Sequence, residues 1–195
     1  MRRTILLIGS LVGLCAVLFP RSSSTEVDAG TAIRLDVEGL VEHAALVLEG
    51  RVRSAQVLVA LNGMIETEYL LDVDRTFEGT DRLTQTMRLP GGVLPSGKGL
   101  ILPGMPSLVP GEDVILFLTD ASQAGLRMPV GLAQGKFRVE TSLTGEKRLS
   151  RRQGSLSMVD PGTGQMLEGA SHQIYDYAAT VAEIHAAVAA QEDGR

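Results

Sequence analysis

The spacing of apolar residues changes several times along this chain, and each change marks an element. Over Asp36–Ala45 (DVEGLVEHAA), Val37, Leu40 and Val41 fall at helical spacing with Asp36, Glu38 and Glu42 opposite, predicting a two- or three-turn helix that Gly39 weakens. From Leu46 the period is two. Leu48, Gly50 and Val52 share one face, Val47, Glu49, Arg51 and Arg53 the other, and past Ser54 the apolar parity passes to Ala55, Val57 and Val59. That switch predicts a β-bulge near Arg53 and Ser54. Asn62 and Gly63 form a two-residue hairpin signal. The return strand alternates Ile65, Thr67, Tyr69, Leu71 and Val73 inward with Glu66, Glu68, Asp72 and Asp74 outward, and a third strand runs from Arg82 to Leu89.

Residues 90–112 (PGGVLPSGKGLILPGMPSLVPGE) hold five of the eight prolines. Such a segment packs as a lid or walls a binding groove, because a long structureless loop is rare in a compact domain. Its apolar side chains, among them Val93, Ile101, Met105, Leu108 and Val109, predict that it packs down, and Pro103 and Pro106 bar a central strand. Pro90, Gly91, Gly92, Pro103, Gly104, Met105 and Pro106 are the candidate binding residues. Asp113–Thr119 is apolar on both faces, as a doubly covered central strand is. Met128–Glu140 reads as its return, with Gly131 and Gly135 as points of relief, and Lys147–Arg152 as a further strand. Two weak strands, Leu156–Val159 and Gln165–Leu167, flank a turn at Asp160–Gly164. A helix over 173–191 carries Ile174, Tyr177, Ala178, Val181, Ile184 and Val188 on one face, with Ser171 as its N-cap.

Successive strands, a bulged first strand and glycine corners predict a mainly β chain: a small OB-like antiparallel β-barrel with a short N-terminal and a C-terminal helix, or alternatively a β-sandwich. The divisions are a signal peptide at 1–24, a polar lead-in at 25–35, the barrel domain at 36–152, a variable hairpin or loop at 153–172 and the helix at 173–191. The first of these rests on Arg2 and Arg3, an apolar run from Ile5 to Phe19, and Ser22 and Ser24 before Thr25. Together they have the parts of a secretory signal, and the run is short for a bilayer span. The chain is therefore expected to be exported, to the periplasm or beyond, with an uncleaved N-terminal anchor as the alternative and the only membrane contact.

Export alters the composition. Cys15, the one cysteine, leaves with the signal, so neither a disulfide nor a thiol site is expected. Without Arg2, Arg3 and Arg21 the 18 basic residues fall to 15 against 23 acidic, a formal charge of −8. That charge and the absence of tryptophan argue against nucleic acid as a partner.

Candidate chemistry is sparse. His43, His172 and His185 stand at no metal-binding spacing, and no cofactor is expected. The acidic row Glu66, Glu68, Asp72 and Asp74 reads as a solvated strand face, although a carboxylate pair for hydrolysis is not barred by spacing. No serine stands in a nucleophile motif, and the glycines at 91, 92, 97 and 99 lack the context of a phosphate loop. Lys147, Arg148, Arg151 and Arg152 read as a solvated hairpin edge.

Leu46–Val52, Val73–Gly79, the Pro90–Gly92 turn, Pro103–Leu118 and Val130–Val139 together match a PGG…PGMPxxxPGExVxxFL…VGLxQGKFxV pattern. In this the chain resembles a group of uncharacterised secreted bacterial proteins, over residues 40 to 140. The first strands also resemble the netrin/tissue-inhibitor type of OB domain, without its cysteines. The resemblance implies company with secreted zinc metalloproteases, hence another secreted protein as partner. Glu78 stands where the pattern has lysine, which removes a basic contact there. The expected function is a secreted, non-enzymatic binding or interaction module. The alternatives are an accessory or inhibitor of a secreted protease, and a hydrolase using outward carboxylates.

Overall fold

The structure, a computed structural model, describes residues 30–154, 156–167 and 172–194. The expected signal segment with Cys15, nearly all of the polar lead-in and the expected cap Ser171 lie outside them.

The chain is mainly β. In order it forms β1 (Thr31–Ile33), α1 (Val37–Glu42), β2 (Leu46–Val59), β3 (Ile65–Glu78), β4 (Thr84–Pro90), β5 (Gly92–Val93) and β6 (Gly99–Leu100). Then come β7 (Asp113–Leu118), a 3-10 turn (Leu132–Gly135), β8 (Lys136–Thr141), β9 (Lys147–Arg152), β10 (Ser157–Val159), β11 (Met166–Leu167), β12 (His172–Asp176) and α2 (Tyr177–Asp193). Seven strands pair antiparallel in the order β12-β9-β8-β7-β2-β3-β4. A small sheet β1-β10-β11 and the hairpin β5-β6 complete the set.

No ladder joins β4 to β12 among the described residues, so the expected OB-like strands form an open sheet and not a closed barrel. Its two faces are covered differently. On one, Leu40 and Val41 of α1 and Ile184 and Val188 of α2 pack on Val47, Phe117, Phe137 and Leu149. On the other, Leu46, Leu48, Tyr69, Leu71, Met87, Leu89, Val114 and Leu116 pack together under Leu108 of the proline-glycine segment. Each buried leucine or phenylalanine contributes about 1.5–3 kcal/mol by leaving water. β7 gives Ile115 and Phe117 to one cluster and Val114, Leu116 and Leu118 to the other, so past Asp113 it is apolar on both faces, as its central place requires.

β2 and β3 pair along 14 residues each, with register shifts after Val47, Glu49 and Val52. The expected bulge at Arg53 and Ser54 is the last of these. Gly50 is where the strands approach most closely: a Cβ there would stand 2.2 Å from the Asp72 carbonyl oxygen. In α1, Asp36 caps the helix by accepting from the Gly39 amide at 2.9 Å, and Val37, Leu40 and Val41 are its buried face.

Several expectations are corrected. The β2–β3 loop runs from Ala60 to Met64 and is longer than a two-residue turn, because strand pairing stops at Val59 and Ile65. Residues 172–176 form a strand beside β9, so α2 starts at Tyr177 with Asp176 as cap, accepting from the Ala179 amide at 2.7 Å. Ile174, expected on the helix stripe, is therefore an exposed strand residue. Leu132–Gly135 turn as a 3-10 helix where a strand was expected, with Gly131 and Leu132 at positive φ. Glu66 is only 1% exposed, against an expected solvated face, and faces Arg88 across β4 at 3.4 Å. β9 is no edge: it lies between β8 and β12, and Arg151 is buried.

Candidate binding cleft

The proline-glycine segment divides into two parts. Residues 90–100 close over the far ends of β2 and β3. Gly91 donates its amide to the Ile65 carbonyl at 2.8 Å and accepts from the Thr67 hydroxyl at 2.7 Å, and Gly92 rests against Val57 and Thr67. Pro90 is buried at the end of β4. Of these three candidate binding residues, Pro90 is buried, Gly91 and Gly92 are half-buried, and none lines the cleft described below.

Residues 101–112 form the second part, and here the other four candidates stand together. Leu102 accepts from the Met105 amide at 3.1 Å across Pro103 and Gly104. Gly104 has φ +75°, so this is a type II arrangement in which proline presets the first corner and glycine tolerates the second. The segment is fixed to the sheet at several points. Gly104 accepts from the Ala133 amide at 2.9 Å, Gly111 donates to Val52 at 2.8 Å, and Glu112 accepts from Val52 at 2.9 Å. Leu108 enters the core with Met105 packed beside it.

Between this segment and the β8–β9 ladder lies a cleft of about 440 Å³. Pro103, Gly104, Met105 and Pro106 all line it. Such a volume is within the range of small-molecule sites. Further apolar lining comes from Leu102 and Ala133 and from Ile101 and Val109, the last two 76% and 58% exposed. The expectation that the whole segment packs down is corrected here: Leu108 does, while Val93, Ile101 and Val109 remain exposed.

The opposite wall is cationic. On β8 and β9 side chains alternate between faces. Phe137, Val139, Leu149 and Arg151 are buried, with Arg151 stacked at 5.1 Å on both the Phe137 and Tyr175 rings. Lys136, Arg138, Ser150 and Arg152 line the cleft. Arg138 is opposite Ser150 in the ladder, so Arg152 is its diagonal neighbour at about 7–8 Å, within reach of one shared ligand group. Neither arginine forms an ion pair with a described residue.

At the floor, Lys136 donates to Glu112 at 2.6 Å and to the Ser107 carbonyl at 2.7 Å. Glu112 also accepts from the Val109 amide at 2.8 Å, which ties the apolar wall to the ion pair. Burial lowers the Lys136 ammonium below its ordinary pKa of 10.5, against support from Glu112. Ser150 donates to Glu140 at 2.9 Å; that bond, with help from Arg148, holds the Glu140 carboxyl below its ordinary value.

The other candidate groups are scattered. His43 caps α1 with Nδ1 2.8 Å from the Gly39 carbonyl, His172 is on β12, and His185 of α2 packs edge-on against Phe77 at 5.2 Å. Asp72 is engaged by Arg53 through both carboxylate oxygens. Among the described residues no three His, Cys, Asp or Glu side chains converge as a metal site, and no helix is long and apolar enough to cross a membrane. The two halves of the cleft differ in how they show in the sequence. Proline and glycine density marks one wall, whereas the Lys136–Arg138–Arg152 wall depends on which face of β8 and β9 turns toward it.

No protein-family model matches the chain, and neither a curated protein nor a solved structure is significantly similar to it.

Proposed function

We propose that this chain is an exported, non-enzymatic binding module whose working surface is the cleft between residues 101–112 and the β8–β9 ladder. The observation that carries the reading is the pairing of unlike walls. A proline-stiffened apolar segment, pinned by backbone bonds and Leu108, faces three cationic side chains across about 440 Å³. Sites for small molecules combine these features: a largely preformed apolar surface and a few converging polar groups. Because the wall is fixed before a ligand arrives, little ordering entropy opposes binding. Export is supported by the paired arginines, apolar run and small-residue exit within residues 1–24. A secreted partner protein that presents its ligand group to the cleft belongs to the same reading.

Val109→Trp tests it. Val109 is exposed, so an indole there projects into the cleft without entering the core. Thermal-shift screening of anionic, neutral and cationic small organic compounds against both proteins is expected to yield binders of the native chain that the variant loses. Binders that stabilise both proteins equally would place the binding elsewhere and overturn the proposal.

A further inference from the structure

We infer that the cleft takes a small amphipathic anion, an aliphatic carboxylate, with its head on Arg138 and Arg152 and its tail along Ile101, Met105 and Val109. The inference rests on the cleft as the working surface and adds the chemistry of its ligand.

Charge selects the head group. The whole chain carries a formal charge of −5, yet the cleft-lining side chains include Lys136, Arg138 and Arg152 against Glu112 alone. Glu112 is consumed by Lys136 at 2.6 Å. Two guanidinium groups are left without an ion-pair partner among the described residues, on adjacent strands and on one face. Guanidinium forks match a carboxylate in shape and bond it bidentately. An ammonium has three donors, and Lys136 uses two of them on Glu112 and Ser107, which leaves one for a ligand oxygen.

The other wall is apolar. Ile101 at 76% and Val109 at 58% exposure stand on the side of the cleft opposite the arginines. A ligand spanning both walls is therefore charged at one end and apolar at the other.

Isothermal titration of the purified protein with decanoate, decanol and decyltrimethylammonium, all below their micelle concentrations, separates the two claims. Decanoate is expected to bind about 10- to 100-fold more tightly than decanol, the worth of a charge-assisted hydrogen bond. The cationic probe is expected not to bind. The double variant Arg138→Gln, Arg152→Gln, checked for an unchanged melting curve, is expected to bring decanoate down to the affinity of decanol. Val109→Trp is expected to remove both. Equal affinity for decanoate and decanol, unmoved by the arginine changes but lost in Val109→Trp, overturns the anion inference and leaves the cleft standing. Decanoate binding that persists in Val109→Trp overturns both, and failure of all three probes to bind overturns the ligand class alone.

Discussion

Replacing Tyr177 with phenylalanine removes one oxygen and leaves the packing in place, so its cost reads out the polar contacts of one hydroxyl, which also accepts from Arg75 at 3.2 Å. Tyr177 opens α2 and donates its hydroxyl to Glu49 of β2, with the two carboxylate oxygens at 2.9 and 2.8 Å. Glu49 is 3% exposed and is approached also by Lys147 at 3.3 Å and Arg75 at 3.4 Å. Burial and the neighbouring carboxylate raise the Tyr177 pKa, which keeps the hydroxyl a donor at neutral pH. A hydrogen bond to a charged group contributes about 1.5–3 kcal/mol. Lys147 and Arg75 remain on Glu49 in the variant, so the expected loss is at the lower end, about 1.5–2 kcal/mol. In a chain of this length that is a fall of about 3–8 °C in Tm. Urea denaturation of Tyr177→Phe, Glu49→Gln and the double variant measures it. The cycle is expected to give a coupling of about 1 kcal/mol between the two sites, since each change alone breaks the same contact. A single-variant loss below about 0.5 kcal/mol, or strict additivity, would refute the idea that this contact fastens α2 to the sheet.

Two further outcomes follow from particular contacts. Gly50→Ala places a methyl group 2.2 Å from the Asp72 carbonyl oxygen, which belongs to backbone and cannot step aside. A loss of at least about 3 kcal/mol, or failure to fold, is expected from denaturation curves, and a variant near native stability contradicts the close crossing of β2 and β3. Asp113 is held below its ordinary 3.8 by its bonds to Arg51, and Glu140 below its ordinary 4.5 by Ser150 and then Arg148. The unfolded chain then binds these protons at a higher pH than the folded one does. Their contribution to stability is full above about pH 5 and is lost as pH falls below their ordinary values, and Asp113→Asn with Glu140→Gln is expected to flatten that decline in melts between about pH 5 and pH 3.

Much of the sheet is legible in the sequence because one face of each strand is consistently buried. Val37, Leu40 and Val41, the parity switch at Ser54 and the doubly apolar run Asp113–Leu118 each mark the element they form. What is illegible depends on distant partners. In β12 Ile174 is exposed beside His172 and Asp176, while Gln173 and Tyr175 turn inward to bond each other and Arg151, which inverts the polarity expected of a strand and lets the segment pass for the start of the helix. Glu66 looks solvated until Arg88 is placed beside it by the β3–β4 register. The four basic residues near 150 divide by strand parity, Arg151 to the core and Arg152 to the cleft. Proline and glycine singled out residues 103–106 for what they do to the backbone, and the same signal at 90–92 marks a packed corner. Composition shows where a chain is stiff, not what stands opposite it.

The cleft is tested most directly by mapping amide shifts in a nitrogen-15-labelled sample titrated with the tightest compound from the screen. Shifts are expected to cluster at Gly104, Met105, Lys136, Arg138, Arg152 and Gly154, the backbone around the cleft. Shifts that instead gather between α1 and α2, or scatter over the surface, would contradict it.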